Sequence, residues 1–181
     1  YTAQTHIKDI FITGNFKNGE IEVINEITNG LGDGLYKLKY DVNHNQKFEE
    51  FLKLENSNLN VLKKVKNRIK NHKTWSPDNP FLYEFDIKLE KVNISDNDTV
   101  FTELDNVKET FGFREFTVKN NKFYLNDRPL YLKAAFFEGL YPVKLSYPDS
   151  KEMMIKEILL AKKAGFNMIR PWRKPPPKEW L

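Results

Sequence analysis

Cysteine is absent from the sequence, so disulfide bonds and thiolate chemistry are excluded and the redox state of the compartment stays undecided. No apolar run approaches the roughly 20 residues that a membrane-spanning helix needs. Histidine is scarce: His6, His44 and His72 lie far apart and in no metal-binding spacing. The glycine-rich segment 30–34 precedes a strand rather than a helix, unlike a phosphate-binding loop. We therefore expect no metal, no cofactor and no membrane partner.

A strong charge imbalance is also missing. The net charge of +4 is mild and indicates solubility rather than nucleic-acid binding. One basic segment, 61–73, places Lys64 and Lys66 on one face of a strand and Val61 and Val65 on the other. This face could bind an anionic polymer, or it could be a solvated strand face that blocks edge pairing. We favour the second interpretation and expect no nucleic-acid partner, because no aromatic residues interleave with the charges.

Strand patterns dominate the first two thirds of the chain. Short apolar-alternating segments separated by turn residues lie at 6–13, 20–27, 35–42, 48–54, 61–70, 81–89 and 107–118. No helix of useful length competes with them. The spacing predicts an immunoglobulin-like antiparallel β-sandwich over residues 1–116, so the chain is mainly β.

Residues 117–181 show a different pattern. A hairpin is predicted around Asn120 and Asn121, followed by a near-continuous apolar run at 130–137 that is typical of a strand buried on both faces. Asp149, with Glu152 three residues later, matches the capping box of a helix.

The helix should end at Gly165, which stands where a left-handed residue is needed and is followed by the apolar contact Phe166. A second buried strand then opens at Met168. Two such strands joined by a helix are parallel and connected by a right-handed crossover.

A single βαβ unit cannot close a barrel, so we expect the chain to be a slice of a longer protein that continues beyond Leu181. The first residues lack the regions of a signal peptide, and residue 1 is Tyr1 rather than Met. Any export signal would then lie outside the sequence, and a secreted or periplasmic location stays open. Oligomeric state is open too, including a homo-oligomer.

Polar and aromatic residues follow both predicted parallel strands. Glu138 comes after the first strand, and Arg170, Trp172 and Arg173 come at the end of the second. Because the carboxyl ends of parallel strands meet at one edge, these side chains could form a substrate-binding mouth, with Trp172 stacking on a sugar ring. Alternatively, Arg170 pairs with a buried acid and Trp172 covers the rim.

Three segments resemble glycoside hydrolase family 2 in order and spacing. The segment 75–83 (WSPDNPFLY) is similar to a signature of the family's immunoglobulin-like domain. The segments 111–114 (FGFR) and 123–133 (FYLNDRPLYLK) resemble the family's passage from sandwich into barrel. The segment 162–170 (KKAGFNMIR) resembles its first barrel helix and second strand.

This resemblance implies a sandwich followed by an N-terminal hairpin and the first β-α-β unit of a truncated (β/α)8 barrel over residues 117–181. It implies a retaining glycosidase whose substrate is a carbohydrate and whose two catalytic glutamates stand about 5 Å apart. Both would come from later barrel strands, so no catalytic residue is expected in this chain. A jelly-roll domain and the remaining barrel would be its partners within the same polypeptide.

Arg170 matches the arginine of the family's active-site floor. The chain departs from the family pattern at Arg173, where many members have histidine, and at 136–138, where many have arginine, histidine and glutamate. An extra cation at Arg173 could favour an acidic sugar. The alternative function is a non-catalytic β-sandwich module that binds polysaccharide or docks domains.

Overall fold

The computed structural model describes residues 5–55, 59–95, 98–137, 140–145 and 148–171. The chain divides into two compact units, Tyr1–Glu115 and Phe116–Leu181. Each unit is described by itself.

The first unit is an antiparallel β-sandwich. Its strands are β1 (His6–Gly14), β2 (Glu20–Thr28), β3 (Gly34–Val42), β4 (Gln46–Leu54), β5 (Asn60–Arg68), β6 (Tyr83–Ser95) and β7 (Asp98–Phe111). One sheet has the order β1-β2-β5 and the other has the order β4-β3-β6-β7. All pairings within these two sheets are antiparallel, which confirms the predicted mainly β fold.

The sandwich forms because apolar residues alternate along its central strands, as a strand with one buried face requires. Both sheets contribute fully buried side chains to one core, among them Ile21, Val23, Tyr36, Leu38 and Phe85. Burying each such side chain stabilises the fold by about 1.5–3 kcal/mol. The apolar period therefore predicted which residues face inward.

The prediction of one strand over 107–118 is wrong. β7 ends at Phe111, and a separate strand, β8 (Phe116–Lys119), begins in the second unit. The strand is interrupted between β7 and β8 because the Phe113 side chain packs into the core of the sandwich, where it is fully buried. Gly112 also packs so closely against Trp75 that no larger residue fits without movement.

The second unit begins with a three-stranded antiparallel sheet of β8, β9 (Lys122–Leu125) and β10 (Arg128–Leu130). Both connecting turns are two-residue turns with positive φ angles, at Asn120 and Asn121 and at Asn126 and Asp127. Asn and Asp tolerate this left-handed conformation, which explains why these pairs form tight hairpins. The hairpin predicted around Asn120 is confirmed.

A parallel pair follows, made of β11 (Ala134–Phe137) and β12 (Met168–Pro171), joined by α1 (Lys151–Lys163). The predicted strand–helix–strand order and parallel pairing are confirmed. The predicted single strand over 130–137 is wrong, because Leu130 belongs to β10 and Lys133 lies between the strands. Burial on both faces is also not observed. Phe136 is 52% exposed, since β12 is the only strand that pairs with β11 in the described part of the chain.

The start of α1 differs by one residue from the prediction. Ser150, not Asp149, is the N-cap: its Oγ accepts a hydrogen bond from the Met153 amide at 3.2 Å. Asp149 Oδ1 instead accepts from the Lys144 amide at 3.2 Å. Both residues are good caps, so the sequence could not separate them.

The end of α1 is as predicted. Gly165 has a φ of 86°, and its amide donates to Lys162 O at 3.0 Å while the Phe166 amide donates to Ala161 O at 3.1 Å. These two bonds form a Schellman motif, which satisfies carbonyls at the helix end. The chain is thereby redirected into β12.

Candidate functional site

The carboxyl ends of β11 and β12 hold the one predicted site residue that the structure describes. Arg170 stands opposite Phe136 in the parallel register, and its guanidinium carbon lies 5.6 Å from the centre of the Phe136 ring. A guanidinium over a ring face is held by a cation–π interaction while its N–H groups keep their hydrogen-bonding directions. This arrangement places the guanidinium beside the Phe136 ring at the end of the strand pair.

The other three predicted site residues, Glu138, Trp172 and Arg173, lie outside the described residues. Whether they join Arg170 at one mouth stays a prediction. The parallel pairing of β11 and β12 confirms only that the two loops containing them leave the same edge of the strand pair.

Asn167 fixes the opposite, amino-terminal end of the pair. Its Oδ1 accepts from the Lys133 amide at 2.8 Å, and its Nδ2 donates to Tyr131 O at 2.9 Å. Its own amide donates to Lys133 O at 3.0 Å. These bonds set the register in which Arg170, three residues later, meets Phe136. Sequence reasoning missed this role, although Asn before an apolar strand was a visible signal.

Tyr141 anchors the segment that follows β11 to the helix. Its hydroxyl donates to Glu157 Oε2 at 2.7 Å, and its amide pairs with Leu145 O at 2.9 Å. Burial raises the pKa of the Tyr141 hydroxyl, and the adjacent Glu157 carboxylate raises it further. Neither residue stood out in the sequence, because a single Tyr and a single helical Glu carry no spacing signal.

The tryptophan-containing signature forms a compact turn within the sandwich. Ser76 and Asn79 exchange backbone hydrogen bonds of 3.0 Å each, and the Trp75 amide donates to Phe113 O at 2.9 Å. The Arg114 guanidinium carbon lies 5.1 Å from the centre of the Trp75 ring. The signature therefore has a structural role: it joins the turn before β6 to the segment that leaves β7.

The basic strand β5 is an edge strand whose lysines are paired. Glu22 accepts ion pairs from Lys64 at 3.1 Å and from Lys66 at 3.5 Å. These contacts, the Lys64 hydrogen bond first, lower the pKa of the Glu22 carboxyl. Cross-strand neutralisation supports the interpretation of a solvated strand face over that of an anion-binding site.

No group of three or more His, Asp or Glu residues is arranged to hold a metal ion in the part of the chain that the structure describes. His72 instead packs on Phe113, with ring centres 4.8 Å apart, and its Nε2 lies 2.7 Å from Phe16 O. Within the same described residues, no helix is long and apolar enough to cross a membrane.

Comparison of the solved structures shows a shared fold across the chain. A glycosyl hydrolase family 2 member from Bacteroides cellulosilyticus superposes with a TM-score of 0.82 at 21% identity, covering 99% of this chain and 23% of that one. A β-glucuronidase from Bacteroides uniformis gives a TM-score of 0.75 at 18% identity, covering 98% of this chain and 22% of that one. At these identities the likeness concerns the fold.

Sequence comparisons agree. A β-galactosidase from Thermoanaerobacterium thermosulfurigenes is 32% identical over 82% of this chain and 20% of its own length. One from Priestia megaterium is 26% identical over 99% of this chain and 18% of its own length. The chain thus spans about a fifth of the length of these relatives. Residues 5–114 match the family model for glycosyl hydrolases family 2, and the chain belongs to that family.

Proposed function

We propose that this chain is part of a retaining glycoside hydrolase that cleaves O-glycosidic bonds of carbohydrates. The observation that carries the proposal is the family match over residues 5–114. Retaining glycosidases use one carboxylic acid as acid/base and a second carboxylate as nucleophile, about 5 Å apart. We place both outside this chain, so the 181-residue chain alone should not hydrolyse glycosides.

Arg170 is the residue of this chain proposed to contact the sugar. Its guanidinium lies beside the Phe136 ring, and its planar fork of donors suits a sugar hydroxyl or carboxylate. Phe136, which is half exposed, would supply an apolar surface beside it.

The test compares Arg170→Ala with Arg170→Lys in the protein encoded by the complete reading frame. We expect kcat/KM on 4-nitrophenyl β-galactoside to fall by about 100-fold or more in the Arg170→Ala variant. The Arg170→Lys variant should recover only part of that activity, because a single ammonium group lacks the planar fork of donors. Arg128→Ala, which removes an exposed arginine from the hairpin sheet, is the matched control and should retain activity. Unchanged kcat/KM in Arg170→Ala would refute the role.

An acidic sugar is the more specific proposal. Arg173 adds a second guanidinium close to Arg170 in the sequence, and a carboxylate on the sugar would accept from both. Among the structural neighbours, the Bacteroides uniformis protein is a β-glucuronidase, and one from Eisenbergiella tayi is a β-galacturonidase bound to galacturonate. Arg173→Ala should then lower kcat/KM on an aryl uronide much more than on a neutral aryl glycoside. Equal losses on the two substrates would contradict the preference.

A further inference from the structure

The outer face of the four-stranded sheet β4-β3-β6-β7 carries a lattice of five ion pairs. Five lysines on this face are paired with a carboxylate across the strands: Lys37 with Glu49 at 2.6 Å, Lys39 with Glu90 at 3.1 Å, Lys47 with Asp41 at 3.4 Å, Lys88 with Glu103 at 2.7 Å and Lys108 with Asp86 at 3.8 Å. Because each of these five lysines is matched by a carboxylate, the lattice of ion pairs has a formal charge of zero. It therefore provides no long-range attraction for a polyanion or a polycation.

Two exposed aromatic rings border the lattice. Lys37 is only 8% exposed although it lies on the outer face, because its Nζ sits 5.3 Å from the Phe51 ring centre and 4.5 Å from the Phe101 ring centre. Phe51 and Phe101 are themselves 46% and 45% exposed. Two rings held on either side of a fixed cation form an aromatic surface that remains open to a ligand.

A cleft of about 390 Å³ lies in the same lattice, within the range of small-molecule sites. Its charged lining comprises Lys39, Asp41, Lys47, Glu49, Asp86 and Lys88. Glu49 is two residues from Phe51 along β4 and on the same face of the sheet, about 7 Å away, so the cleft and the aromatic surface are neighbours on this face.

Two aspartates that line the cleft each carry a buried hydrogen-bond acceptor without a partner. Asp41 and Asp86 stand directly opposite each other on β3 and β6, and the Oδ1 atom of each is buried without a hydrogen-bond partner among the described residues. Their Oδ2 atoms are engaged by Lys47 and Lys108, whose side chains are mostly exposed and can move. A buried acceptor without a donor is unfavourable, so a ligand hydroxyl that reached either Oδ1 would be stabilising. Because both atoms are buried, this contact requires the Lys47 or Lys108 side chain to move aside.

We propose that this outer face binds an uncharged oligosaccharide. Sugar hydroxyls both donate and accept, which fits interleaved carboxylate and ammonium groups, and the apolar face of a sugar ring fits the two phenylalanine rings. An apolar protein surface, including one on a second copy of the chain, would bury five ion pairs without replacing their hydration. Polyanions are disfavoured by the matched charges. The site lies in the first unit and goes beyond the proposed function, since it binds saccharide without cleaving it.

The experiment measures retardation of the purified 181-residue chain in native gels containing β-1,4-galactan, xyloglucan or polygalacturonate. We expect retardation by at least one of the two neutral polysaccharides, none by polygalacturonate, and little change when 0.3 M NaCl is added. Phe51→Ala and Phe101→Ala should each weaken the association constant about tenfold. Phe11→Ala is the matched control, because Phe11 is a 61% exposed phenylalanine on the other sheet.

Far-UV circular dichroism of each variant keeps a loss of binding separate from a loss of folding. Asp86→Asn, which keeps the shape of the side chain, is a second variant and should also weaken retardation. Absence of retardation by both neutral polysaccharides would overturn the proposal. So would an equal loss in Phe11→Ala, or a concentration-dependent dimer in sedimentation that Phe51→Ala abolishes, since the face would then bind a second copy.

Discussion

The Asn25 side-chain amide donates a hydrogen bond of 2.9 Å to the Tyr40 hydroxyl, joining the two sheets of the sandwich through its core. Both residues are buried, and the same Asn25 nitrogen also donates to Lys63 O at 3.0 Å. One asparagine therefore links β2 to β3 across the core and to β5 within its own sheet. A polar contact at this place favours one alignment of the sheets, because any slip would leave the amide unpaired.

Tyr40→Phe should destabilise the sandwich by about 1–3 kcal/mol, because it leaves a buried N–H of Asn25 without its acceptor. Urea unfolding followed by circular dichroism measures the loss. Tyr36→Phe is the matched control: Tyr36 is equally buried, but its hydroxyl makes only a 3.5 Å contact to Gly32 O. Equal losses in the two variants would show that the link between the sheets contributes nothing.

Alkaline pH should weaken the fold through the same tyrosine. Burial raises the pKa of the Tyr40 hydroxyl above its ordinary value near 10; the Asn25 hydrogen bond opposes this shift in part, and the Glu50 charge adds a smaller increase. The folded state thus holds this proton more tightly than the unfolded state. The contribution of this hydroxyl to the free energy of unfolding is therefore complete below pH 10. As the pH rises above 10, that contribution falls by at most about 1.4 kcal/mol per pH unit.

The measurement compares the free energies of unfolding of the parent chain and Tyr40→Phe at pH 8, 10 and 11. The advantage of the parent should shrink above pH 10. A difference between the two proteins that stays constant with pH would contradict the assignment.

Gly112→Ala should destabilise the sandwich by about 1–3 kcal/mol, because the new Cβ would lie 3.0 Å from the Trp75 Cβ in a packed region. Combining it with Trp75→Gly, which removes the Trp75 Cβ together with the ring atoms at 3.2 Å, tests this cause directly. If the clash is responsible, the double variant will be more stable than the sum of the two single losses predicts. If the losses of stability in the two single variants, measured by thermal unfolding, add up to the loss in the double variant, the destabilisation by Gly112→Ala has another cause.

Asn167→Ala should loosen the amino-terminal end of the parallel pair. The Lys133 amide would lose its Asn167 Oδ1 acceptor and Tyr131 O its donor. Hydrogen exchange at Lys133 should accelerate about tenfold or more, while amides in the core strands of the sandwich keep their rates. Unchanged exchange at Lys133 would show that the strands hold their register without this side chain.

The sandwich was predictable because its strands bury one face, so that period-two alternation is visible in the sequence. The second unit was less predictable, because periodicity does not identify the partner of a strand. The apolar run 130–137 did not indicate that Leu130 belongs to an antiparallel hairpin sheet while Ala134 belongs to a parallel pair. Burial of Lys37 on an outer face was also invisible, because it depends on Phe51 and Phe101 from two other strands.

The sequence predicted where the candidate site lies along the chain but not which side chains contact each other there. Arg170 follows from the family resemblance and from the end of a parallel strand, but its partner Phe136 is set by strand register, which Asn167 fixes. Glu138, Trp172 and Arg173 lie outside the described residues, so their place at the site stays a prediction.

The central claim is that these residues serve a glycosidase whose catalytic carboxylates lie elsewhere in the polypeptide. Release of 4-nitrophenol from aryl β-galactosides and β-glucuronides, measured side by side for the 181-residue chain and for the product of the complete reading frame, tests it most directly. The complete protein should hydrolyse at least one of these substrates while the chain alone stays at the uncatalysed rate. Turnover by the chain alone, or an inactive but folded complete protein, would contradict the claim.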